Sequence, residues 1–133
     1  MNHRVALIVS SLLSILLMTL HLADDVVRGF EKGTSTLFAV PILVLWLYGT
    51  VVLAERRSGY VIVLLGSLVG ALAPAIHFRP TGAVARGEIG QSSGGFFFLW
   101  VLIALGVTTL FSLVLSARGL WLGRGQEPRR SGG

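Results

Sequence analysis

Four side chains are suited to acid–base or metal chemistry by both type and spacing. One segment reads His21-Leu-Ala-Asp24-Asp25. Residues three and four apart on a helix share a face, so the His21 imidazole has one carboxylate at i+3 and another at i+4. A second histidine ends a different apolar stretch, in the run His77-Phe78-Arg79. Neutral imidazoles and carboxylates ligate zinc and other divalent ions, and two histidines with one carboxylate leave coordination positions open. His21, Asp24, Asp25 and His77 are therefore the candidate metal ligands, with Arg79 beside them.

Other chemistries use the same residues. Carboxylates at a helix C-terminus oppose the macrodipole, at about 0.3–1 kcal/mol each when exposed, so something must offset Asp24 and Asp25. A structural reading makes one of them the N-cap of a short interfacial helix over Val26–Lys32, with Arg28 and Arg79 neutralising the pair. A b-type haem would take one histidine from each of two facing helices, but the two aspartates fit a haem pocket poorly. Proton-linked switching by a histidine near a membrane surface is the remaining reading.

The elements that carry these residues follow from composition. Of 133 residues, 53% are hydrophobic and 13% charged, about half the charge of a soluble domain, and the mean hydropathy is +0.80. That profile excludes a soluble globular domain and a disordered chain. The chain has no cysteine, which removes disulfides, thiolate zinc sites, Cys-ligated iron–sulfur clusters and CxxC redox chemistry.

Four stretches, Val5–Ala23, Thr36–Ala54, Tyr60–Phe78 and Phe96–Leu115, contain no Asp, Glu, Lys or Arg. Each approaches the roughly 20 residues that a bilayer crossing takes. Backbone polar groups in hydrocarbon must be satisfied within the segment, so the expected fold is all-α, a four-transmembrane-helix bundle. Residues 1–117 form the membrane domain, and 118–133 a basic cytoplasmic tail expected to be disordered. The first stretch is longer than a signal peptide's usual 7–15 apolar residues, and His21 stands where a cleavage site wants a small residue. It is expected to stay attached.

Lys and Arg outside the spans set orientation. Arg4, Arg56, Arg57, Arg118, Arg124, Arg129 and Arg130 fall on one side; Arg28, Lys32, Arg79 and Arg86 fall on the other. Seven against four places both termini in the cytoplasm; the membrane itself is expected to be a plasma (inner) membrane. The whole net charge of +5 then lies inside, where a basic face meets anionic lipid; no nucleic-acid partner is implied. With this topology His21 and His77 reach the same, outer, membrane depth.

Span three carries Gly66-Ser-Leu-Val-Gly70, a small-xxx-small face that lets backbones approach closely in lipid. It serves packing within the bundle or, alternatively, a homodimer. Pro41, early in span two, marks that helix's expected first turn. The Gly-rich stretch Arg79–Gly95 is a flexible external loop or a lid over the His/Asp patch, with Glu88 the acid it would bring.

The length and span number are similar to those of small multidrug exporters. Their membrane-buried glutamate has no counterpart in the first span, whose polar residues are Ser10, Ser11, Ser14, Thr19 and His21. The absence of ionisable residues in mid-membrane also argues against a pump or ion channel. The functional expectation is a non-enzymatic membrane subunit, whose partner is another membrane protein or a second copy. The alternative is a metal-dependent enzyme or metal-handling protein using the His/Asp patch.

Overall fold

In a computed structural model the chain folds into four helices. The structure describes residues 2–29, 33–82, 84–87, 89 and 93–124, with side chains 33–36 and 123–124 outside that description. The helices are α1 (His3–Arg28), α2 (Gly33–Val51), α3 (Arg57–His77) and α4 (Gly95–Arg124). The described residues contain no strand. α1, α3 and α4 are long and apolar enough to cross a membrane, whereas α2 is a shorter apolar helix. At 1.5 Å per residue, α1 is about 39 Å long and α4 about 45 Å, against about 28 Å for α2.

Cross-helix contacts fix the arrangement. Ser112 of α4 meets Ser10 of α1, and Phe98, nearer the start of α4, meets His21, so α1 and α4 are antiparallel. Trp46 and Thr50 of α2 meet Ser11. Gly70 of α3 lies against Thr109 and Trp46. Successive helices alternate in direction, each packs on its chain neighbours, and α4 closes the ring on α1. α1 and α3 also touch across the bundle.

The interior is about as rich in polar residues as in apolar ones, and the outside is oily. Among the described residues, ten buried residues are polar or charged against eleven that are hydrophobic. Large apolar side chains instead cover the surface, including Leu37, Phe38, Phe96, Trp100 and Val107. In water this distribution would forfeit hydrophobic stabilisation. In lipid, burying apolar side chains gains little, and association rests on close packing and interhelical hydrogen bonds. The surface is that of a membrane protein.

Two hydroxyl clasps hold α1 at one depth. Trp46 Nε1 donates to Ser11 Oγ at 2.9 Å. Thr50 Oγ1 gives its proton to the Trp46 carbonyl at 2.8 Å, so Ser11 must be the donor in the 2.7 Å contact with Thr50. Indole, serine, threonine and carbonyl thereby close a circuit whose members polarise one another. On the neighbouring side of α1, Ser112 donates to Ser10 at 3.0 Å, and Ser10 passes its own proton to the Leu7 carbonyl at 3.1 Å.

Gly66 and Gly70 admit α2. A Cβ on Gly66 would overlap the Trp46 indole, and one on Gly70 would lie 2.7 Å from Thr109 Cγ2 and 3.1 Å from Trp46 Cη2. The small-residue face is filled from within the chain.

Several boundaries differ from the sequence expectation. No new helix starts at Asp24 or Asp25; α1 continues through both to Arg28. An Asp24–Arg28 pair and a His21–Asp25 contact, each at i,i+4, favour the extra turn. Gly29, with φ 74°, caps the helix in the left-handed region, its N–H reaching the Asp25 and Val26 carbonyls. Pro41 lies inside α2, well past its start at Gly33, so it does not mark the first turn. Residues 52–54 lie in the connection to α3. α4 runs on to Arg124, so a boundary after residue 117 falls within a helix, and the rest of the tail lies outside the described residues.

Candidate metal centre

The site forms where α1 and α3 end together and α4 begins. His21 and Asp25 occupy successive turns of α1, and His77 is the last residue of α3. Asp25 Oδ2 lies 3.3 Å from His21 Nε2 and 3.5 Å from His77 Nε2. The three residues each offer a ligand atom within 4.8 Å of the others. His21 is 3% exposed and Asp25 4%; the His77 side chain is 13% exposed.

The surroundings hold this geometry. The imidazoles meet edge to face, with centroids 5.0 Å apart and planes at 87°. Phe98 of α4 backs both rings, at 5.5 Å from His21 and 5.2 Å from His77. Ile89 and Leu102 pack on Phe98 in a small buried cluster, with Val84 against it. Part of the long connection thus folds back over the wall of the site; Glu88 lies outside the described residues. Rings this close to one another and to Phe98 leave no slot for a macrocycle, so the arrangement does not fit haem b.

Asp24 does not join the group. Its Oδ2 accepts from Arg28 Nε at 2.7 Å, while Arg28 Nη2 donates to the Ser93 carbonyl at 3.2 Å and the guanidinium lies 5.3 Å from the Phe98 ring centre. Arg79 is exposed, and the cation beside Asp24 is Arg28. Asp25 Oδ1 is buried with no hydrogen-bond partner. An unpartnered buried carboxylate oxygen normally costs about 1–3 kcal/mol or more, and a cation at the cluster would remove that penalty.

Of the four proposed ligands, the structure brings together His21, Asp25 and His77 and turns Asp24 to Arg28. Phe98 was not singled out by spacing. Its depth was nonetheless readable, because an antiparallel α4 must begin where α1 and α3 end. Ser67 is another buried polar group that spacing did not flag; its hydroxyl has no partner.

No family matches the chain, and neither curated proteins nor solved structures give a match to it.

Proposed function

We propose that this protein binds a divalent transition-metal ion through His21, Asp25 and His77, and that its function is metal handling or metal-dependent chemistry at the extracytoplasmic boundary of a plasma membrane. The observation that carries the reading is the convergence of the three ligand atoms within 4.8 Å, from two helices, in a largely buried setting. Two imidazoles and one carboxylate suit zinc, iron(II) or a related ion better than magnesium or calcium, which favour all-oxygen sites. Three protein ligands leave at least one position open.

The orientation belongs to the same proposal. α1 and α3 run in one direction, so α2 and α4 return, and four crossings put both termini on one side. The seven-to-four excess of Lys and Arg assigns that side to the cytoplasm and the metal site to the outside. α2, about 28 Å long, nearly matches a hydrocarbon core of about 30 Å.

The test is elemental analysis of gently solubilised, chelator-free protein, alongside the H21A and H77A variants. Near-stoichiometric zinc, iron or a related ion that is lost in both variants supports the reading. Equal metal content in all three proteins overturns it.

A non-enzymatic membrane subunit remains the second reading. It is supported by an apolar groove of about 520 Å³ between α1 and α4, lined by Ala6, Val9, Leu13, Val107, Phe111 and Val114 among others. Such a groove suits an apolar side-chain row of a neighbouring membrane helix. Enlarging Gly66 or Gly70 does not test it, since both already pack inside the chain. A bulky residue at Val107, which is 64% exposed, tests it instead.

A further inference from the structure

Resting on the metal reading above, we infer that Arg28 sets the ligand number of the site by withholding Asp24. His21 has two carboxylates at ligand-competent spacings on its own helix, Asp24 at i+3 and Asp25 at i+4. Side chains at either spacing are neighbours on a helix surface, so the sequence permits a site with two histidines and two carboxylates. The structure contains a site with one.

The difference is made by Arg28. On a 3.6-residue helix it lies two turns beyond His21 and between the directions of Asp24 and Asp25, and of these two carboxylates it is Asp24 that it holds in an ion pair. It is held there from outside α1 as well: the Ser93 carbonyl accepts from Nη2, and Phe98 lies beneath the guanidinium. Phe98 is also the wall behind both imidazoles. The segment leading into α4 therefore fixes Arg28, Arg28 fixes Asp24, and the cluster keeps three ligands.

Charge and coordination follow from this. With neutral histidines, one carboxylate and a divalent ion, the occupied site carries a net +1, and the Asp24–Arg28 pair adds nothing to it. Releasing Asp24 would give an electroneutral site with a fourth oxygen donor, binding more tightly and tolerating harder ions. Arg28 is thus a specificity-determining positioning residue that keeps the site open for an exogenous ligand.

The experiment uses the full chain in nanodiscs, with cobalt(II) as probe. Affinity is read by chelator competition, and coordination by the visible ligand-field spectrum. The variants are Arg28→Gln, Arg28→Lys and the double Arg28→Gln/Asp24→Asn, with Arg28→Met retaining the packing on Phe98 should R28Q lose its fold. R28Q is expected to bind cobalt at least about tenfold more tightly, since a gained ligand should exceed the lower end of outer-shell effects at metal sites, with a changed spectrum. The double variant, unchanged in net local charge, should return both readings to those of the unsubstituted protein, and R28K should keep them.

Tighter binding without a spectral change would mean simple loss of charge repulsion and would overturn the inference. So would a changed spectrum that persists without Asp24. If the unsubstituted protein binds no cobalt or zinc, the metal reading itself fails. Binding with unaltered R28Q behaviour sinks only the role given to Arg28.

Discussion

Asp25 on α1 and His77 at the end of α3 place Oδ2 and Nε2 3.5 Å apart, joining two helices that face each other across the bundle. The carboxylate touches His21 through the same oxygen, so one atom lies between both imidazoles while the other oxygen, Oδ1, has no partner.

The two aspartates should therefore behave differently. Asp25→Asn is expected to lower zinc affinity by more than about a hundredfold, beyond what outer-shell changes cost. Asp24→Asn should leave a bound ion in place. Zinc titration of both variants against a chromogenic chelator checks this, and equal losses would contradict the assignment of Asp25 alone.

Trp46→Phe removes the donor to Ser11 while keeping most of the ring over Gly66. Interhelical hydrogen bonds in membranes contribute about 0.6 kcal/mol on average, with measured maxima near 1.7. A loss in that range is expected in reversible unfolding in mixed micelles. Ser11→Ala should cost no less, because it also leaves the Thr50 oxygen without its donor.

Gly66→Ala introduces a methyl group into space the Trp46 indole already fills. Overpacking of a tight interface costs about 1–3 kcal/mol, so a lowered thermal midpoint is expected. Trp46→Leu in the G66A background should recover part of the loss. No recovery would mean that the glycine is required for a reason other than this contact.

Topology is directly testable because the chain has no native cysteine. Ser58, in the first turn of α3, and Thr81, four residues beyond its last residue His77, are exposed. With cytoplasmic termini, a membrane-impermeant maleimide added to intact cells should label Thr81→Cys and leave Ser58→Cys unlabelled. The reverse pattern would invert the molecule and put the candidate metal site inside.

Four apolar stretches free of Asp, Glu, Lys and Arg were enough to specify four helices and an all-α membrane fold, since lipid offers the backbone no other partners. Helical periodicity also put His21, Asp24 and Asp25 on one face, and the alternation of directions brought His77 to the same depth. Helix ends were less legible. The α1 terminus at Arg28 depends on i,i+4 pairs among charged residues that a hydropathy reading treats as loop.

What remained for the tertiary structure was the rotation of each helix about its axis. Asp24 and Asp25 stand about 100° apart on α1, and sequence spacing ranks neither above the other. Rotation is set by which side chains interlock at a distance: Trp46 over Gly66, Ser10 with Ser112, and Phe98 behind the two imidazoles. These contacts turn Asp25 inward to His77 and leave Asp24 to Arg28. Sequence determined which groups could meet, because period and depth are local properties of a helix in lipid. Packing decided which of them do, because a helix's rotation is fixed only by its neighbours.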